Sequence, residues 1–179
     1  MVEDARAQQY EELKEKTTVL IGNEAPDLPG GDLMVSQGFY HQWVILPDGT
    51  ASGKGTDEGV PGANGDPTPA FLGTDTEMVD HADRTPLFTE SRDFVDIENL
   101  QHWLEVGRDT GGWVPFANDC NTTVEEAINA SSPGYPQRGP DGDIHYDKVM
   151  RPDGSLHEPA FYPPWVTPPE PPSSERDAD

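Results

Sequence analysis

The sequence predicts an α+β domain: a small antiparallel sheet of about four to six strands with two or three helices, long loops and a Pro-rich C-terminal tail. Three observations predict it. An aromatic and β-branched run, Met34–Leu46 (MVSQGFYHQWVIL), is closed by the turn PDGT and answered by TASGKG, the pattern of a hairpin. Two later stretches, ENLQHWLEVG and NDCNTTVEEAI, carry apolar residues at helical spacing. Gly (18) and Pro (19) together make about a fifth of the 179 residues, so much of the chain must be loop or tail.

The elements follow in order. Residues 1–20 open with a helical pattern in which Ala5, Tyr10, Leu13 and, at its end, Val19 and Leu20 sit among Glu, Gln and Lys, and Glu11/Lys14 and Glu12/Lys16 are helix neighbours. Residues 21–33 are turn-rich, and the hairpin of Met34–Leu46 with TASGKG comes next. Residues 55–70 form a Gly/Pro/Asp loop longer than ordinary connections, which marks it as disordered or as a lid. Residues 71–97 hold one or two strands, with PLFTESRDFVDI the best candidate. In 98–107 the stripe Leu100, Trp103, Leu104 and Val106 predicts a helix, stopped by Gly107. Asn118 or Asp119 caps a further helix with Cys120 in its first turn, Val124, Ala127 and Ile128 inward, and Glu125 and Glu126 outward. These elements define a domain over 1–132, with the N-terminal helix in 1–20, a loop-rich extension over 133–166 and a disordered acidic tail over 167–179. Proline excludes helix and central strand from YPPWVTPPEPPSSERDAD.

Charge narrows the partners. With 11 Lys+Arg against 34 Asp+Glu, the net charge of −23 leaves little with which to build a cationic face for nucleic acid or an anionic membrane. No run approaches the ~18 apolar residues of a transmembrane segment. The charged N-terminus lacks the apolar core of a signal peptide, so the expected location is cytoplasmic, or export by a dedicated machine. One cysteine, Cys120, excludes an intrachain disulfide and a finger-type metal site.

That cysteine carries the chemistry. Amides and dipole at a helix N-terminus favour the thiolate, the nucleophilic form. An imidazole alongside would complete the activation. Of the five histidines, His41 lies inside the strand FYHQWVIL, where a side chain is held as a general base requires. The order of YHQWVILPDGT first and NDCNTTVEEAI 79 positions later resembles the circularly permuted papain-like superfamily, which includes lecithin:retinol acyltransferase-like proteins, bacterial amidases and peptidases, and C-terminal domains of bacterial toxins. Thr123 stands where an aromatic often follows the cysteine in that superfamily. The resemblance implies a permuted papain-like fold in which Cys120 attacks a carbonyl, His41 takes and returns the proton, and the Cys120 amide serves the oxyanion. It also implies a third polar group on the strand after the histidine, for which Ser52 and Thr50 are candidates, while Asn118 or Asn121 orients the loop or supplies a second donor. The implied activity is a thiol hydrolase or acyl transferase acting on an amide or ester, a peptide or cell-wall fragment, in the manner of a bacterial or archaeal effector. No cofactor or metal is implied.

Other readings stand beside this one. Cys120 is also readable as a small buried hydrophobe and His41 as a structural residue. Asp80, His81 and Asp83 (DHAD), and Asp141, Asp143, His145 and Asp147 (DGDIHYD), space potential metal donors, against the plainer reading as solvated acidic turns. The Pro-rich tail offers a polyproline II segment to a protein partner. With that tail and the acidic surface, the rival function is a non-catalytic interaction module or a component of a secretion or injection assembly.

Overall fold

The structure, a computed structural model, describes residues 2–26, 30–55 and 73–171. The loop expected over 55–70 and the acidic end of the tail fall almost wholly outside the described residues. The order of elements is α1 (Val2–Thr17), β1 (Val19–Glu24), α2 (Gly31–Ser36), β2 (His41–Ile45), β3 (Ala51–Gly55), β4 (Asp75–Asp80), β5 (Phe88–Arg92), α3 (Ile97–Trp103), β6 (Asp109–Gly112) and α4 (Cys120–Ala130). Four two-residue strands follow: β7 (Gln137–Arg138), β8 (Ile144–His145), β9 (Val149–Met150) and β10 (Leu156–His157). No described helix is long and apolar enough to cross a membrane.

The fold is α+β, built on a six-stranded antiparallel sheet of order β5-β1-β2-β3-β4-β6. Alternation along the strands divides its faces. Val19 and Ile21 of β1, Val44 of β2 and Met78 of β4 point to one face, where they join Leu100, Trp103 and Leu104 from α3 and its cap and Val124, Ala127 and Ile128 from α4 in one core. The opposite face carries Trp43, fully enclosed between Gly22 of β1 and Gly53 of β3. A Cβ at Gly22 would lie 2.5 Å from the indole, so the bare backbone there is what admits the ring.

Three expectations are corrected. The strand expected from Met34 begins only at His41, and residues 31–36 form the short helix α2. The helix expected over 1–20 ends at Thr17; Val19 and Leu20 open β1, and IGNE, read as the start of a turn-rich segment, completes it as a central strand whose Ile21 faces the core. The C-terminal extension adds the small β7–β8 and β9–β10 ladders, the second tied to α3 by Asn99 Nδ2 and Trp103 Nε1, both donating to the Met150 carbonyl.

Candidate active site

Asp119 decides where α4 starts. Its carboxylate accepts the Thr122 N–H while the Thr122 hydroxyl accepts the Asp119 N–H, a reciprocal capping box. Cys120 is therefore the first helical residue. The preceding loop is pinned from inside by Lys54, one of four lysines and almost fully buried. Its ammonium donates to the Thr110 carbonyl and the Asn118 Oδ1, each at 2.9 Å, and Asn118 Nδ2 donates to the Thr110 and Gly112 carbonyls. Burial pulls the Lys54 pKa down, with Asp119 and Cys120 opposing.

So held, the Cys120 sulfur lies against the backbone of β2 on both sides of His41. The thiol donates to the Tyr40 carbonyl at 3.8 Å and to the Asn121 Oδ1 at 3.2 Å. Burial pushes its pKa up to about 11, with Asp119 adding to the rise; the amides of Gln42, Asn121 and Cys120 itself pull the other way. The helix-end amides thus act in the expected direction, but desolvation outweighs them.

The His41 ring points to the sheet face of Trp43, on which it stacks with centroids 5.9 Å apart. It makes no hydrogen bond to the sulfur; its Nε2 lies 2.9 Å from Nε2 of His81. His81 follows the end of β4, two strands from β2, and reaches across β3 over Gly53, where a Cβ would stand 3.1 Å from the His81 ring. His81 Nδ1 lies 2.9 Å from the Val79 carbonyl. A carbonyl only accepts, so that nitrogen carries the proton, and a neutral His81 then presents a bare Nε2. His41 Nε2 must therefore be the protonated one, which leaves a lone pair on His41 Nδ1. Both rings are kept neutral: burial, then His81 and Arg84, lower the His41 pKa to about 3, and burial also lowers that of His81. Arg84, paired with Glu24, supplies the nearby positive charge.

The side chain that meets the His41 ring nitrogen is His81. Ser52 is on the other face, opposite Val44, and with Thr50 lines a small cleft against Gln101 and Leu104. Asn118 orients the loop, and its amide is spent on Thr110 and Gly112, so it is not an oxyanion donor. His81 turns its ring to His41, and Asp80 accepts the Ala82 N–H; among the described residues no group of three or more His, Cys, Asp or Glu side chains is arranged to hold a metal ion. Asp141 accepts the Asp143 N–H through Oδ1, and its Oδ2 lies 3.4 Å from His145 Nε2. Phe116, whose N–H donates to the Asp119 carboxylate, meets Phe39 edge-on, and Tyr40, whose carbonyl accepts from the sulfur, meets Phe88; Phe116 is 73% exposed at a left-handed φ of 63°. Such exposed aromatics and strained backbone suit a binding rim.

Three residues were missed as site residues in the sequence. Gly53 carried a signal, since an isolated glycine within a strand marks a close approach. Lys54 carried none and His81 stood out only as a potential metal donor in DHAD, because their partners lie 64 and 40 positions away. Comparison with protein-family models, curated proteins and solved structures returned no match to the chain.

Proposed function

We propose that this chain is a thiol-dependent hydrolase or acyl transferase acting on an amide or ester bond, with Cys120 as nucleophile, His41 as general base and His81 as the residue that orients His41. One observation carries the reading: the hydrogen-bonded series Val79–His81–His41 leaves the free lone pair on His41 Nδ1, in the residue whose two neighbours touch the Cys120 sulfur.

In the proposed reaction the thiol proton passes to His41 Nδ1 as sulfur bonds to the substrate carbonyl carbon. The oxyanion is met by backbone N–H groups at the start of α4, and the leaving amine or alcohol departs with the proton from His41. Water or a second nucleophile then releases the thioester. Both groups start neutral, and the His41 ring points to the Trp43 face while α4 packs on the other, so the transfer requires the substrate complex to bring the ring and the sulfur together. The aromatic rim suits a substrate with an apolar group beside the scissile bond, such as a peptide or cell-wall fragment.

The test is incubation with activated esters and peptide amides, read by intact mass. An acyl adduct on Cys120, absent in Cys120→Ser and formed at least ~100-fold more slowly in His41→Ala, is the expected result. A thiol pushed up to about 11 and a ring held near 3 form no ion pair in the free protein, which favours the second reading, a non-catalytic acidic interaction module. Failure to acylate with every substrate class, with Cys120 still alkylated at high pH, decides for that module.

A further inference from the structure

A second cleft lies away from Cys120, between the C-terminal end of α3 and the turn joining β9 to β10. Its volume is about 440 Å³, within the range of small-molecule sites. Arg108 and Arg151 line it together with His102 and His157. Only 11 of the 179 residues are Lys or Arg against 34 carboxylates, yet two of those cations share this one lining.

Both walls are fixed before any ligand arrives. Arg108 donates from Nε to the Trp103 carbonyl at 2.7 Å and lies over the Trp103 ring, its guanidinium carbon 5.2 Å from the centroid. Trp103 in turn donates to the Met150 carbonyl, next to Arg151. The Arg151 and Ser155 backbones close the turn through a 2.9 Å hydrogen bond.

Neither guanidinium has an ion-pair partner among the described residues. Arg151 Nε is shut from solvent and has no acceptor. Burial lowers the Arg108 pKa, with Glu126 and Asp109 opposing at longer range. An oxyanion in the cleft would supply the ion-pair partner that both guanidiniums lack among the described residues. Neither carboxylate on the lining is within ion-pair distance of the two guanidiniums. Asp153 Oδ1 already accepts the Ser155 N–H and hydroxyl, and Glu105 is exposed at more than ion-pair distance from either arginine.

We propose that this cleft binds the phosphate group of a small molecule. Two guanidinium forks on separate walls suit a tetrahedral oxyanion, whose oxygens point several ways, better than a planar carboxylate. Glu105 adds an acceptor for a hydroxyl or ammonium group beside the phosphate.

The test is calorimetric titration of the whole chain with inorganic phosphate, phosphoethanolamine and acetate at one ionic strength. Saturable phosphate binding, weakened at least tenfold in Arg151→Gln and partly restored in Arg151→Lys, is the expected result. Tighter binding of phosphoethanolamine assigns the site to an organic phosphate, and equal binding assigns it to the free ion; both keep the phosphate assignment. Absence of saturation, acetate binding as tight as phosphate, or an unchanged affinity in a folded Arg151→Gln overturns it. Circular dichroism of each variant establishes that it is folded, and Arg108→Gln serves as the second variant.

Discussion

Replacing Gly53 by alanine probes the contact that brings the two histidines together. A Cβ there would stand 2.7 Å from the Cβ of Trp43 and 3.1 Å from Cε1 and Nε2 of His81. The Trp43 Cβ is fixed to β2, so rotation of the side chain gives no relief and the two strands must separate. Overpacking of this kind costs about 1–3 kcal/mol. The His81 ring must also retreat from His41, and stranding a buried hydrogen-bonding group costs another ~1–3 kcal/mol. Alanine returns about 0.4–1 kcal/mol by restricting the unfolded chain. Because the two penalties share one displacement, the net expectation is a destabilisation of about 2–4 kcal/mol. Urea unfolding followed by tryptophan fluorescence gives the stability, and long-range proton–nitrogen spectra of the imidazoles give the tautomers. His41 is expected to lose its fixed Nε2 proton. Gly49→Ala is the control: its φ of 87° imposes strain, but nothing lies within 4 Å of the new Cβ, so the histidine spectra should not change. A loss below ~0.5 kcal/mol in Gly53→Ala with unaltered tautomers would refute the reasoning.

The remaining predictions concern protons and helix entry. His41 ionises near 6.5 when unfolded but near 3 when folded, so the unfolded chain binds the extra proton in that interval and stability falls on acidification from pH 6.5 toward 3. The limiting slope from this one group is about 1.4 kcal/mol per pH unit, and His41→Phe should flatten it in urea titrations. At the alkaline end the sign reverses: the Cys120 thiol ionises near 9 when unfolded but near 11 when folded, so stability falls from pH 9 to 11 and Cys120→Ala removes that slope. In the free protein, alkylation of Cys120 should be slow at neutral pH and rise towards pH 11; a rate already at its plateau by pH 8 would contradict the burial argument. Lys54→Met strands the acceptors on Thr110 and Asn118 and should lower stability by about 2–4 kcal/mol in thermal unfolding. Asp119→Ala removes the N-cap and should cost about 1 kcal/mol by the same assay, with faster exchange of the Thr122 amide.

Short-range patterns in the sequence proved readable where one element decides its own form. PDGT closes the β2–β3 turn with Asp48 accepting the Thr50 amide, and Asp119 caps α4 with Val124, Ala127 and Ile128 inward as their spacing predicts. Elements defined by their neighbours were not readable. β1 is interrupted by Gly22 and ends in turn-forming residues, yet becomes central because β2 and β5 flank it. β6 is DTGG, whose Asp and two glycines disfavour a strand, and is held by its pairing with β4. The candidate site divides in the same way. Cys120 at a helix start and His41 in a strand follow from local pattern. His81 sits in an acidic tetrapeptide that resembles a solvated loop, and only the sheet order carries its ring over Gly53.

Phe94 links the ends of the chain. Its φ of 55° is unusual for a bulky residue, and its ring meets Tyr10 of α1 at 5.1 Å and Trp165 of the C-terminal extension at 4.9 Å. Three rings from distant parts of the sequence thus make one clasp, in which loss of Trp165 uncovers the Phe94 ring that Tyr10 packs on. Clipping the chain ahead of Trp165 should therefore hasten amide exchange in the first helix, roughly 150 positions away, as one fraying unit rather than two.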